Sequence, residues 1–252
     1  MAIPQTAHVT RVTVLIPAAG TGSRMQRSSA GGETKVLMRL AGEPLLRHAV
    51  RVFQKHPVIQ SIRIIVRPED LALLEDTFAD TDSWTKLGPP IVGGAERQDS
   101  VRNGLEALAG KGTPDWVLVH DGARPLCSPL LVQRVLDALS THGAVVPVLP
   151  VYETVRSAAG NRESGGVIDR TALRLTQTPQ GFHWDTLNEA HSRGFREGIR
   201  ATDDAQLVES TGEPVTLVPG ERRNLKITLA EDLELAEWIA AHPDWGVEPA
   251  RI

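Results

Sequence analysis

The sequence predicts an α/β protein built on a Rossmann-like, mostly parallel sheet flanked by helices. Three observations carry this. Short, nearly continuous apolar runs recur at 12–16, 62–66, 116–119 and 144–148, as expected of strands buried on both faces. Helical apolar spacings lie between them, and strand followed by helix, repeated, builds a parallel sheet. A glycine-rich loop follows the first run, where open α/β sheets place their ligand crevice.

The elements follow in order. The run at 12–16 ends at Pro17, and Leu46, Ala49, Val50 and Phe53 then share a helical face. After the strand at 62–66 come helices marked by Leu71, Leu74 and Phe78 and by Val101, Leu105 and Leu108, with a short strand at 90–92 entering the Gly93-Gly94 turn. The strand at 116–119, a helix carrying Leu131, Val135 and Leu139, and the strand at 144–148 complete the regular alternation. Beyond Pro150 it fails. Residues 157–166 read SAAGNRESGG, a turn between β-branched segments at 151–156 and 167–170. This is a protruding β-arm, inserted at about 151–172, too short to bury enough apolar area by itself. A second subunit is its expected packing partner, giving a homodimer. The chain then returns with helices at 184–193 and 203–209, a strand at 215–218 and a last helix presenting Leu233, Ala236 and Ile239. Thr228 is its expected N-cap, with Glu231 at capping-box spacing. Residues 1–252 form a single domain, with loose tails expected at about 1–8 and 243–252.

Composition narrows the function classes. The chain of 252 residues has 27 Lys+Arg against 31 Asp+Glu, a net charge of −4, which argues against non-specific nucleic-acid binding. Aromatics are only 4%, so stacking platforms for single strands are few. No apolar run approaches the length of a membrane helix, and the first ten residues lack the layout of a secretory signal. Cys127 is the lone cysteine, which excludes an internal disulfide and a Cys-rich zinc site. A cytoplasmic protein without nucleic-acid or membrane partners is expected.

The loop at 16–25 reads IPAAGTGSRM. A dinucleotide fingerprint starting at Gly20 needs glycine where Met25 stands, and a P-loop needs Gly-Lys-Ser/Thr where Met25, Gln26 and Arg27 stand. Both fail, which disfavours a dehydrogenase. Small residues still let backbone N–H groups approach an anion, and Arg24 and Lys35 add two cations. The alternative is a structural turn with solvated surface charges.

PAAGTGSRM (17–25), Lys35 and LAGEP (40–44) resemble the sugar-phosphate nucleotidyltransferases. GGAERQDSVRNGL (93–105), VHDGARP (119–125), TPQGF (178–182), TDDA (202–205) and NLKIT (224–228) narrow the resemblance to the 2-C-methyl-D-erythritol 4-phosphate cytidylyltransferase branch, over about residues 12–240. The resemblance implies attack of an acceptor phosphate oxygen on the α-phosphorus of CTP, with pyrophosphate leaving. A phosphate monoester has its second pKa at about 6, so the nucleophile is already ionised and needs no base. The need is for charge stabilisation and alignment.

On this resemblance Arg24, Lys35 and Asp121 are catalytic, and Asp121 holds Mg²⁺ with Asn224 beside it. Arg223 stands where some relatives carry an acid. CTP falls to Ala18, Ala19, Gly20, Gly22, Gly94, Ser100 and Gly122, with Ser100 alternatively the N-cap of its helix. The acceptor phosphate and hydroxyls fall to Arg124, Thr154, Arg170, Thr178, Thr202 and Lys226, with the arm reaching across a dimer. His120, His183 and His191 read as core or surface histidines, since no pair has metal spacing with a carboxylate partner. Two other readings stand beside this one: a cytidylyltransferase for another polyol phosphate such as ribitol 5-phosphate, and a non-catalytic nucleotide-binding regulator. Loss of Arg24, Lys35 or Asp121 would mark the regulator, and all three are present.

Overall fold

A computed structural model describes residues 10–20, 38–110, 112–160 and 162–252. Strand β1 (Val12–Pro17) is followed by the short pair β2 (Arg39–Leu40) and β3 (Glu43–Pro44), then α1 (Leu45–Lys55), β4 (Ile59–Val66) and α2 (Leu71–Thr77). Next come β5 (Ile91–Val92), α3 (Arg97–Leu108), β6 (Trp116–Val119), α4 (Pro129–Leu139) and β7 (Ala144–Pro150). The arm is β8 (Val155–Ala159) and β9 (Glu163–Ile168), and β10 (Arg174–Thr176) and β11 (Gln180–His183) lead back. Helices α5 (Trp184–Glu197) and α6 (Asp204–Glu209), strand β12 (Thr216–Pro219) and helix α7 (Ala230–Ala240) finish the chain.

The main sheet runs β10-β7-β11-β6-β1-β4-β5, with β12 beside β7. β1 lies parallel between β4 and β6, and β4/β5 and β12/β7 are also parallel. β11 enters antiparallel between β6 and β7, and β10 pairs antiparallel with β7. The expected mostly parallel sheet is therefore present, with its reversals confined to the side reached after the arm.

Period-two alternation on β1 explains the two helical layers. Val12, Val14 and Ile16 pack on one face with Val50 and Phe53 of α1 and Leu131 and Val135 of α4. Leu15 packs on the other face with Val101 and Leu105 of α3 and Leu187 of α5. Each of these side chains is at most 1% exposed, and burying one stabilises the fold by about 1.5–3 kcal/mol. With both faces covered, the ligand crevice is left at the carboxyl ends of β1 and β6.

Several expectations need correction. β4 begins at Ile59, three residues before the apolar run suggests, because Ile59 is buried opposite Val12. In the arm the strands extend into the expected turn, and Ser157 pairs with Gly166. The N-cap of α7 is Leu229 rather than Thr228, and Asp232 replaces Glu231 as the partner. Oδ2 of Asp232 accepts the N–H groups of Thr228 and Leu229 at 2.6 and 2.8 Å. The segment at 243–252, expected as a loose tail, makes contacts with the body: Ala250 N–H donates to Gly220 O at 3.0 Å, and Trp245 meets Trp238 edge-on at 5.7 Å.

Candidate active site

The loop after β1 is joined to both neighbouring strands. Ala18 N–H donates to Ile65 O at 2.7 Å, and Gly122 N–H, just past β6, donates to Pro17 O at 3.2 Å. Ala18 is buried, Ala19 half-buried and Gly20 exposed. Gly22, Arg24 and Lys35 lie outside the described residues.

The turn after β5 closes against this loop. A Cβ on Gly93 would stand 2.7 Å from Ala19 Cβ, and one on Gly94 2.4 Å from Asp99 Cβ. Only glycine fits either place. Gly94 N–H donates to Ser100 Oγ at 3.0 Å, and the Ser100 hydroxyl donates to Glu96 O at 3.0 Å. Ser100 is therefore not the N-cap of α3; Glu96 holds that position, and Asp99 accepts its N–H at 3.3 Å. The hydroxyl fixes the glycine turn instead.

Asp121 stands past the end of β6 among cations. Its Oδ2 is 2.8 Å from Lys226 Nζ and 3.9 Å from Arg124 Nε, and its Oδ1 is 3.2 Å from Arg97 Nε. Burial alone would raise this carboxyl, but Arg97, Lys226 and Arg124 outweigh it and hold it well below the ordinary carboxylate range. Arg97 reaches on through Nη1 to Asp204 Oδ2 at 2.7 Å, and Asp204 Oδ1 lies 3.0 Å from His191 Nε2. Three cations face two carboxylates, leaving a net charge of +1 suited to an incoming phosphate.

The backbone around Asp121 is fixed by its neighbours. Asp121 N–H donates to Thr178 Oγ1 at 3.0 Å, and Thr178 Oγ1 lies 3.1 Å from His120 Nδ1. His120 Nε2 lies 3.0 Å from Arg124 O. A carbonyl can only accept, so the network assigns the proton to Nε2, and Thr178 donates to Nδ1. His120 is fully buried, and burial pushes its pKa down to about 4. With both ring nitrogens engaged it is a structural core histidine, as expected.

The segment carrying Lys226 is held from below. Asn224 Nδ2 donates to Thr178 O at 2.7 Å, Arg124 Nη1 donates to Asn224 O at 2.7 Å, and Gln177 Nε2 donates to the carbonyls of Glu221 and Asn224 at 2.8 and 3.1 Å. Glu221 is fully buried and accepts the Ser128 hydroxyl at 2.8 Å; burial raises its pKa. Ser128 in turn caps α4 by accepting Leu131 N–H at 3.0 Å.

The fold thus gathers Asp121, Arg124, Thr178, Asn224 and Lys226. It does not bring Thr154, Arg170 and Thr202 to them: all three are exposed, and among the described residues none is bonded to that cluster. Arg170 donates to Tyr152 O within the arm, and Thr202 gives its N–H and hydroxyl to Gln206 Oε1. The sequence alone assigned no role to Arg97, Asp204 and His191. Arg97 and Asp204 lie inside the 93–105 and 202–205 motifs, and a basic residue and a paired acid there were the available signal.

The donors do not fit a divalent ion held on Asp121. Mg²⁺ completes its shell with waters and substrate phosphates around one or two carboxylates, and both Asp121 oxygens already face cations that such an ion would have to displace. Asn224 Oδ1 is buried and without a hydrogen-bond partner among the described residues. No group of three or more His, Cys, Asp or Glu suited to a metal occurs among those residues.

A doubly layered α/β sheet with a cationic cluster at its strand ends is the kind of scaffold on which nucleotide- and phosphate-handling sites are built. A family model described as 2-C-methyl-D-erythritol 4-phosphate cytidylyltransferase (IspD) matches residues 12–242, and the chain belongs to this family. It is 43% identical over 227 residues to the bifunctional enzyme IspD/IspF of Rhodospirillum rubrum, spanning 90% of this chain and 56% of that protein. It is 37% identical to the 2-C-methyl-D-erythritol 4-phosphate cytidylyltransferase of Syntrophus aciditrophicus, spanning 90% of this chain and 94% of that one. Thus it spans about half the length of the bifunctional relatives and nearly all of the shorter one. The crystal structure of 2-C-methyl-D-erythritol 4-phosphate cytidylyltransferase from Thermus thermophilus superimposes with a TM-score of 0.75 at 39% identity, covering 92% of this chain and all of that one. No described helix is long and apolar enough to cross a membrane.

Proposed function

We propose that this protein transfers the cytidylyl group of CTP to 2-C-methyl-D-erythritol 4-phosphate, giving 4-diphosphocytidyl-2-C-methyl-D-erythritol and pyrophosphate. Family membership over residues 12–242 is the observation that carries this reading. In the reaction an acceptor phosphate oxygen bonds to the α-phosphorus as the bond from that phosphorus to the bridging oxygen breaks, and pyrophosphate leaves with the electron pair. The acceptor arrives ionised, which agrees with the histidine next to Asp121, His120, having both ring nitrogens engaged. The work left to the protein is alignment and charge stabilisation.

The roles divide by position. Lys226 and Arg124, gathered at Asp121, suit the acceptor phosphate, while the 18–20 loop and the Gly93-Gly94 turn suit the nucleotide. Arg24 and Lys35 are proposed for the triphosphate on the motif alone. Mg²⁺ stays in the proposal as an ion accompanying the triphosphate, because Asp121 is committed to cations, and no step is assigned to it. The arm supports a homodimer: among the described residues β8 and β9 pair only with each other, and Val167, Ile168 and Tyr152 are 61%, 40% and 55% exposed. A cytoplasmic setting is supported by the single buried cysteine.

Pyrophosphate release with CTP, ATP, GTP and UTP against a panel of polyol phosphates tests the reading. Strong preference for CTP with 2-C-methyl-D-erythritol 4-phosphate is expected. Equal turnover with ATP rejects it, and preference for ribitol 5-phosphate moves the protein to the other acceptor. No turnover with any pair leaves the nucleotide-binding regulator.

A further inference from the structure

Arg97, on the first turn of α3, touches two carboxylates that no sheet hydrogen bond connects. Its Nε lies 3.2 Å from Asp121 and its Nη1 2.7 Å from Asp204. Asp204 opens α6 and is 1% exposed; His191 of α5, also 1% exposed, holds its other oxygen at 3.0 Å. The transfer reaction assigns nothing to these three residues. Gathering charges out of water is costly unless the geometry returns it.

The return is visible at Asp121. One of its oxygens faces Arg97 and the other faces the Lys226 ammonium at 2.8 Å. A carboxylate gripped at one oxygen has lost rotation about its Cβ–Cγ bond, so the other oxygen is fixed too. Lys226 is a point charge on a flexible four-carbon stem, 41% exposed, and Asp121 is its one ion-pair partner among the described residues. Whatever orients Asp121 therefore orients that ammonium. The guanidinium is suited to the task because its planar fork addresses two carboxylates at once.

We propose that Arg97 is a positioning residue: braced by Asp204 and His191, it sets the Asp121 carboxylate, which sets the Lys226 ammonium where the acceptor phosphate docks. Arg97 acts through Asp121 and does not itself hold substrate, since its contacts to the two carboxylates are spent on the brace. The docking role of Lys226 rests on the cytidylyltransferase reading; the brace does not.

The test uses the whole chain with CTP and 2-C-methyl-D-erythritol 4-phosphate, followed by pyrophosphate release. Arg97→Gln should lower kcat/KM for the acceptor by about 10²-fold, the scale of a misplaced reacting group, with the CTP Kd from calorimetry unchanged. Arg97→Lys should restore little, because one ammonium cannot bridge both carboxylates. Asp204→Asn should give a smaller loss of the same kind. The deciding comparison is made in the Asp121→Asn background, where Arg97→Gln should cost nothing more. Losses that multiply, or a CTP Kd that rises in step with them, overturn the proposal. If Arg97→Gln does not fold, Asp204→Asn takes its place in the same cycle. If the wild-type chain transfers no cytidylyl group, the functional reading fails separately, and thermal unfolding reads the brace: non-additive Tm shifts for Arg97→Gln and Asp121→Asn uphold the link, and additive shifts refute it.

Discussion

Lys226 Nζ lies 2.8 Å from Asp121 Oδ2, the carboxylate oxygen that Arg97 leaves open. The pair joins the end of β6 to the segment before α7. Asp121 is the buried partner, 11% exposed against 41% for Lys226, so the acid is the anchor and the base the part a ligand can reach.

Lys226→Ala is accordingly expected to lower kcat by about 10²-fold, the loss typical of one preorganised charge-stabilising group. Lys226→Arg should recover part of it. Steady-state kinetics at saturating CTP checks this, and an unchanged kcat would remove Lys226 from the site.

Asp121→Asn should weaken use of the acceptor while leaving the Mg²⁺ concentration for half-maximal rate where it is. The carboxylate faces Lys226 and Arg97, and its removal frees cations without removing a metal ligand. A Mg²⁺ titration of both proteins decides it; a large shift towards higher Mg²⁺ would return Asp121 to the metal.

Acid should destabilise the fold through His120. Its folded-state pKa of about 4 lies below the ordinary value, so the neutral form is preferred in the native state. Stability from this residue is complete above about pH 6.5 and is lost as pH falls towards 4, amounting to about 3 kcal/mol. Asp121 acts in the same direction, since its depressed pKa gives stability that acidification removes. His120→Gln keeps one donor and one acceptor without the titration. Urea midpoints at pH 7 and 4.5 should therefore lie closer together for the variant than for the wild type.

Arg24→Ala and Lys35→Ala should each reduce kcat by about two orders of magnitude, with the unfolding midpoint unchanged. A variant that loses only CTP affinity would show uniform binding of ground and transition states.

The arm prediction concerns assembly. Lys35→Ala and Arg170→Ala, each inactive alone, should regain activity in hybrid dimers, because one composite site then recovers both residues. Hybrids that stay inactive, or an active enzyme that sediments as a monomer, place Arg170 outside a shared site.

The reading from sequence succeeded where one signal dominated. Apolar runs such as 116–119 announce a strand covered on both faces, and the protein places β6 there. Asp121 was legible from its place just past a strand end, while Thr178 and Lys226 were named by resemblance and the fold brings both to Asp121. Arg97 and Asp204 were not, since their pairing joins α3 to α6 across the fold and no local period reports it. The N-cap at Leu229 was missed because Thr228 and Glu231 have the same spacing as Leu229 and Asp232, and it is the Asp232 carboxylate that takes the N–H groups of Thr228 and Leu229. Thr154, Arg170 and Thr202 were also named by resemblance, and no contact among the described residues of one copy unites them.

The two glycines at 93 and 94 also bear on how this protein can change over evolutionary time. A side chain at 93 would meet Ala19 Cβ at 2.7 Å, and one at 94 would meet Asp99 Cβ of α3 at 2.4 Å, so the turn is closed to added bulk on both sides. A slot bounded by side chains can be widened or narrowed one substitution at a time. Packing this close offers no such increments, because any single change at 93 or 94 must first displace the 18–20 loop or α3. The shape of that end of the crevice is thereby insulated from mutational drift, while the exposed residues of the arm stay open to it.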